Sequence, residues 1–155
     1  MGNKELLPLK QAAYDHCIEL IERRLTKIQA QIKDLEAALA SETKSSAGDK
    51  HETGRAMVQL EREKMGRQWA LAEQERKILA KVKIEHGGIL VGPGTLVLTE
   101  NQGFFIAVAA GELRHRGKSI YCISPLAPLA KVFLGKGVGA TVRFNQNTYT
   151  ITAVL

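Results

Sequence analysis

The first half of the chain carries apolar residues at a regular spacing. They recur at intervals of four and three positions, at Tyr14, Ile18, Ile21, Leu25, Ile28, Ile32, Leu35 and Leu39. This is the a/d pattern of a coiled coil, and it predicts a helix over about residues 10–44. Such a helix would be about 50 Å long, too long to pack along a small globular domain. It therefore needs a second helix as its partner.

A second long helix is predicted over about residues 49–83. Its apolar face is less regular and consists of Met57, Leu60, Met65, Trp69, Ala72, Ile78, Leu79 and Val82. The segment between the two helices, SETKSSAGDKHETG, has no large apolar residue and contains Ser and Gly, which favour a turn. We therefore expect an antiparallel coiled-coil hairpin over residues 1–84, with an exposed acidic tip near residues 45–54.

The pattern changes after Gly87 and Gly88 to short runs of β-branched and apolar residues. These runs predict strands at residues 89–91, 95–99, 104–109, 119–123, 140–144 and 149–154. Ser124 and Pro125 predict the N-cap and first residue of a short helix that runs through Leu134 and is closed by Gly135. Residues 85–155 should thus form a bent antiparallel sheet covered by one helix, and the fold class is α+β.

The composition adds modest constraints on location and partners. The net charge of +6 favours polyanionic surroundings through long-range attraction. The first residues lack the apolar segment of a signal peptide and no later run is long enough to span a membrane, so we expect a cytoplasmic protein without membrane contact. Cys17 and Cys122 have no metal-ligand spacing and are expected to be reduced core residues.

Two parts of the sequence resemble the Gre family of bacterial transcription elongation factors. Gly48-Asp49-Lys50-His51-Glu52-Thr53 resembles the family's tip sequence, Gly-Asp-x-x-Glu-Asn. Residues 123–127, 134–139 and 149–154 are similar to its FKBP-like C-terminal domain, so the resemblance covers nearly everything after the first ten residues. It implies a factor that binds bacterial RNA polymerase and inserts its coiled coil into the secondary channel. There it would stimulate the polymerase to cleave backtracked nascent RNA, without being an enzyme itself.

The resemblance also implies which residues act. Asp49 and Glu52 match the tip acids that help to hold a Mg²⁺ ion shared with the polymerase, and no tightly bound cofactor is expected. Mg²⁺ commonly takes one or two carboxylates together with waters and phosphate oxygens, so two acids do not make a complete metal site. Lys44 and Arg55 are candidate contacts to RNA phosphates.

Several alternatives remain open at this point. Thr53-Gly54-Arg55-Ala56 follows the tip acids, whereas the family has Asn-Ala-Glu-Tyr at these positions. This difference favours an alternative function, a non-catalytic regulator of the secondary channel. Asp-x-x-Glu at a helix start is also the sequence of a capping box, whose side chains accept hydrogen bonds from free backbone N–H groups. Proline isomerisation is disfavoured because the C-terminal domain has few aromatic residues. A parallel dimeric coil is disfavoured by the Gly/Ser break, so a monomer is expected.

Overall fold

The computed structural model describes residues 2–43, 48–86 and 88–155. It confirms the predicted α+β class, with two long helices followed by a six-stranded mixed sheet and a short helix. The elements are α1 (Asn3–Thr43), α2 (Gly48–Ala80), β1 (Thr95–Thr99), β2 (Gly103–Ile106), β3 (Gly111–His115), β4 (Lys118–Ile123), α3 (Pro128–Phe133), β5 (Thr141–Phe144) and β6 (Asn147–Val154).

The chain divides into two compact units. The sheet unit comprises Met1–Leu20 and Arg76–Leu155, and the hairpin unit comprises Ile21–Glu75. Each long helix therefore contributes residues to both units. The predicted boundary between a hairpin of residues 1–84 and a C-terminal domain of residues 85–155 stays a prediction.

In the hairpin unit α1 and α2 run antiparallel. Arg24 pairs with Glu75 at 3.3 Å and Glu36 pairs with Arg62 at 2.9 Å, so the numbering falls along α2 as it rises along α1. The residues buried between the helices are Ile21, Leu25, Ile28, Met65 and Ala72. Further along α1, half-buried Ile32, Leu35 and Leu39 alternate with exposed neighbours. From Ile21 onward the structure follows the predicted heptad seam.

Before Ile21 the buried stripe of α1 differs from the prediction. The helix begins at Asn3, and the Gly2 carbonyl accepts hydrogen bonds from the N–H groups of Glu5 and Leu6. The buried positions are Leu6, Leu9, Lys10, Ala13 and Cys17, whereas Tyr14 and Ile18 of the predicted seam are only half-buried. The buried stripe in this part of α1 is therefore one position away from the predicted seam, with Ala13 and Cys17 in place of Tyr14 and Ile18.

The sheet has the order β3-β4-β2-β1-β6-β5. Four neighbouring pairs are antiparallel, but β2 and β4 are parallel, so the prediction of a wholly antiparallel sheet was wrong for that pair. The parallel pairing results from β3, a strand that was not predicted because its sequence, GELRH, is largely polar. β3 forms a hairpin with β4 across Arg116 and Gly117, and this reversal brings β4 alongside β2 in the same direction.

Three other predicted elements differ from those observed. Residues 89–91 form a single bridge, Leu90 to Gly137, and β2 ends at Ile106. The short helix begins at Pro128, because Ser124 is used in a turn: its Oγ accepts the Leu126 N–H and its carbonyl accepts the Ala127 N–H. Pro128 then occupies the start of α3, where a missing N–H costs no helical hydrogen bond.

Both faces of the central strands are covered. β1 is buried at all five positions. One face packs with α3 in a core of Val91, Val97, Phe104, Ile106, Ala130, Phe133, Val142 and Ile151. The other face carries Leu96, Leu98 and Phe105, each at most 1% exposed. His16 Nε2 of α1 lies 2.8 Å from the Ala110 carbonyl oxygen, so the first part of α1 packs within this unit next to the β2–β3 loop.

Candidate functional site

The predicted acids lie at the start of α2. Because this helix begins at Gly48, Asp49 and Glu52 both belong to its first turns. Residues three positions apart on a helix lie on the same side, so the two backbone positions face one way. Glu52 is exposed, whereas the side chains of residues 48–51 lie outside the described part of the structure. The metal role and the capping-box role of Asp49 therefore both stay predictions.

The structure describes one of the two residues predicted to contact RNA phosphates. Lys44 lies outside the described residues. Arg55 is exposed on α2, three positions after Glu52, so it occupies the next turn on the same side of the helix. The start of α2 thus combines acidic positions with a cationic one. A cation one helical turn from Glu52 can contact a phosphate, and it also weakens the attraction of Glu52 for a metal cation.

The donor set of this segment fits only part of a metal site. Within residues 2–43, 48–86 and 88–155, no group of three or more His, Cys, Asp or Glu side chains is arranged to hold a metal ion. Asp49 and Glu52 can supply two carboxylates, whereas Mg²⁺ requires six oxygen ligands in near-octahedral geometry. The remaining ligands would have to come from water and from a partner molecule.

A concave site that was not predicted from the sequence lies on the sheet. We call it the sheet pocket: a cavity of about 530 Å³ lined by residues 99–102, Phe104, Tyr121, Ile123, Leu129 and residues 147–150. The Phe104 ring is the centre of an aromatic cluster, with its centroid 5.9 Å from Tyr121, 5.2 Å from Phe133 and 5.7 Å from Tyr149. The sequence contains these residues far apart, and only the order of the strands brings them together.

These features define an α+β protein in which paired long helices carry two neighbouring acidic positions and a separate sheet carries an aromatic pocket. Among solved structures, the chain is similar to one described as the structure of the transcription factor Gfh1. The two share 20% identity over 92% of this chain and 93% of that chain, and the TM-score is 0.33, so they superpose poorly as wholes. No family model and no curated protein matches the sequence. None of the helices in the described ranges has the length and apolarity needed to cross a membrane.

Proposed function

We propose that this protein is a Gre-type transcription elongation factor. It would bind bacterial RNA polymerase, enter the secondary channel with the end of its helical hairpin and stimulate cleavage of backtracked RNA. The observation that carries the proposal is the placement of Asp49 and Glu52 in the first turns of α2, directly after the connection between two long antiparallel helices. The resemblance of residues 48–53 to the Gre tip sequence supports it.

The paired helices are suited to presenting such a site. α1 has 41 residues and α2 has 33, which correspond to about 62 Å and about 50 Å of helix. In the hairpin unit they bury Ile21, Leu25, Ile28, Met65 and Ala72 against each other. A functional group carried on a packed helix is held more precisely than one on a free loop. Acidic residues are also favourable at a helix N-terminus, where the backbone N–H groups are unpaired.

The chemistry of the two acids matches a supporting role. Mg²⁺ supplies a Lewis acid that activates water and stabilises the leaving oxygen in phosphodiester hydrolysis. Asp49 and Glu52 would contribute carboxylate oxygens to such an ion, and the polymerase and its RNA would complete the ligand shell. Because the reaction would take place in the polymerase, the protein would act as a factor and would have no activity of its own.

A second candidate function is a regulator that occupies the secondary channel without stimulating cleavage. Arg55 favours it, because its exposed cation lies one turn from Glu52 and opposes the recruitment of Mg²⁺. In this case the protein would bind the polymerase and alter pausing or initiation. The two candidates share the architecture and differ in whether the acids are used.

The decisive experiment is a transcript-cleavage assay on stalled, backtracked complexes of bacterial RNA polymerase. The wild-type protein should accelerate cleavage, and Asp49→Asn combined with Glu52→Gln should abolish the acceleration while leaving the melting temperature and polymerase binding unchanged. The matched control combines Glu61→Gln with Glu63→Gln, which removes two exposed carboxylates further along α2 and should have no effect.

The outcomes separate the candidates. Polymerase binding without accelerated cleavage would favour the regulator, and in that case Arg55→Glu is expected to restore part of the cleavage activity if the cation is the cause. Full activity of the Asp49/Glu52 double variant would show that the acids do not act. Failure of the wild-type protein to bind polymerase would reject both candidates.

A further inference from the structure

The hairpin of β3 and β4 ends in a cluster of cations. Arg114, Arg116 and Lys118 stand within five consecutive positions and make up half of the six Lys and Arg residues in residues 85–155. Arg114 and Arg116 are exposed, and Lys118 is half-buried. We call residues 114–119 the basic ribbon. Like charges at this spacing repel one another, so the basic ribbon favours the binding of an anion.

The protein does not neutralise these cations within the described ranges. None of the three side chains forms an ion pair with another described residue. The nearest acid in the sequence is Glu112, whose Oε1 instead accepts a hydrogen bond from Ser119 Oγ at 2.7 Å. The other acids of residues 85–155 are Glu85 and Glu100, and neither forms an ion pair with a described cation. The positive charge of the basic ribbon is therefore available to a partner.

The basic ribbon projects beyond the neighbouring strand of the sheet. β2 and β4 begin their pairing at Gly103 and Ile120, whereas β3 and β4 continue for two further pairs toward their turn. β3 is the edge strand of the sheet, so the outer side of the ribbon has no strand neighbour in the described part of the chain either. At about 3.4 Å per residue, the two pairs extend about 7 Å past the start of β2. The ribbon is thus a short two-stranded projection.

The turn distributes the cations around this projection. Arg116 and Gly117 form a two-residue turn with φ of 52° and 79°, and positive φ at both positions is typical of a type I′ turn. His115 and Lys118 pair across the ribbon and share one face, whereas Arg114 lies on the opposite face. Arg116 stands at the end. The basic ribbon therefore carries cations on both faces and at its tip.

The chemistry of the basic ribbon favours a phosphate backbone over a protein surface. Its sequence, Arg-His-Arg-Gly-Lys-Ser, contains no apolar side chain larger than Gly. Protein interfaces are anchored by buried aromatic and apolar side chains, which this ribbon cannot supply. Contacts to phosphates need only cations, hydroxyls and free backbone N–H groups, and an edge strand presents all three here. Nucleic acid is therefore the partner that fits.

We propose that the basic ribbon binds duplex DNA by entering the major groove. This groove is about 12 Å wide and about 8.5 Å deep, and it admits a two-stranded β-ribbon. The projecting length of about 7 Å matches that depth. Because cations lie on both faces, Arg114, Arg116 and Lys118 would contact phosphates on both sides of the groove. This inference does not depend on the function proposed above, since it concerns only the β3–β4 hairpin and needs no polymerase.

The test is a titration of the full-length ¹⁵N-labelled protein with a short DNA duplex at about 50 mM salt, followed through backbone amide shifts. Saturable shifts should include residues 111–120. The binding constant read from these residues should fall with salt, with a log–log slope of about −3, because three phosphate contacts release about three counterions. An RNA duplex of the same length should bind at least about fivefold more weakly, because the major groove of A-form RNA is too deep and narrow. A glutamate oligomer of equal charge should bind at least about tenfold more weakly, since it has no groove.

Matched double variants separate the basic ribbon from the net charge. Arg114→Gln combined with Arg116→Gln should weaken DNA binding at least about tenfold and make the salt slope shallower by about 2. Lys131→Gln combined with Arg143→Gln removes two exposed cations elsewhere in the same unit and should change the affinity less than about twofold.

Four results would overturn the proposal. The first is the absence of saturable shifts in residues 111–120 up to about 1 mM duplex. The second is an equal loss of affinity in the two double variants, which would mean that only the net charge attracts DNA. The third and fourth are equal binding of the RNA duplex or of the glutamate oligomer, either of which would show that the major groove is not used.

Discussion

Lys10 is the only charged residue that is fully buried within the described part of the chain, at 0% exposure. It occupies a position in the buried stripe of α1, and its Nζ donates a hydrogen bond to the Lys83 carbonyl at 2.9 Å. Burial removes the ammonium group from water and lowers the pKa of Lys10 from 10.5 to about 8. The charged side chain therefore costs folding free energy at neutral pH.

The size and sign of this cost follow from the two pKa values. Between about pH 8 and pH 10.5 the unfolded chain binds the proton of Lys10 more tightly than the folded protein, so stability rises with pH in this window. Below pH 8 both states are protonated and the full cost, about 3 kcal/mol, is present. From pH 7 to pH 10 the wild-type protein should regain about 2.5 kcal/mol from this group.

The variant Lys10→Met removes the charge and keeps an unbranched side chain of similar length. At pH 7 it avoids the cost of about 3 kcal/mol but leaves the Lys83 carbonyl without its donor, which costs about 1–3 kcal/mol. We expect it to be as stable as the wild type or more stable by up to about 2 kcal/mol. At pH 10 the free energy of unfolding of Lys10→Met relative to the wild type should be lower by about 2.5 kcal/mol than at pH 7, because only the wild type gains stability from deprotonation.

Urea unfolding of the two proteins at pH 7, 8, 9 and 10 measures this difference. Groups other than Lys10 titrate in both proteins and cancel when the two free energies of unfolding are subtracted. Lys4→Met, which changes an exposed lysine of the same helix, is the matched control for the loss of a lysine from α1. Parallel pH profiles for the wild type and Lys10→Met would refute the assignment of a lowered pKa to Lys10.

Three further substitutions test the packing of each unit, all by urea unfolding. Gly103→Ala would place a Cβ 2.8 Å from Cδ2 of the buried Leu98 side chain, so we expect a loss of about 1–3 kcal/mol, and a neutral result would show that this side chain can move away. Gln146 has φ of 69° in the two-residue β5–β6 turn, so Gln146→Gly should stabilise by about 0.5–1 kcal/mol, and destabilisation would contradict this reading. Arg62→Ala breaks an exposed ion pair with Glu36 and should cost less than about 1 kcal/mol, whereas a larger loss would mean that the pair is more than a surface contact.

The heptad pattern predicts the buried positions of α1 well where this helix packs against a single partner. From Ile21 to Leu39 the helix faces α2 alone, and the heptad spacing matches the buried and half-buried positions. In the sheet unit the same helix also lies next to the β2–β3 loop, and its buried stripe is one position away from the predicted seam, at Ala13 and Cys17. Lys10 belongs to that stripe but reads as polar in the sequence. A pattern of apolar residues cannot reveal a buried lysine.

Among the strands, too, some features can be predicted from the local sequence and others depend on contacts between distant residues. β1 was predicted with its observed bounds, because a run of apolar residues buried on both faces is visible in the sequence. β3 was missed because an edge strand with one neighbour has an exposed, polar sequence. The positions of the acids at the start of α2 were predictable, since they depend only on a helix start. Their chemistry stays a prediction.

The sheet pocket shows why counting residue types is insufficient for predicting a site. The C-terminal region has few aromatic residues, and on that count the sequence reading disfavoured an aromatic pocket. The hairpin of β3 and β4 reverses the chain so that β4 lies parallel to β2, and this register sets Tyr121 directly beside Phe104. Had β4 followed β2 as an ordinary hairpin partner, its direction would be opposite and the two rings would not share this register. The polar strand that the sequence reading missed is therefore the element that assembles the pocket, so the site could be recognised only after the strand order was known.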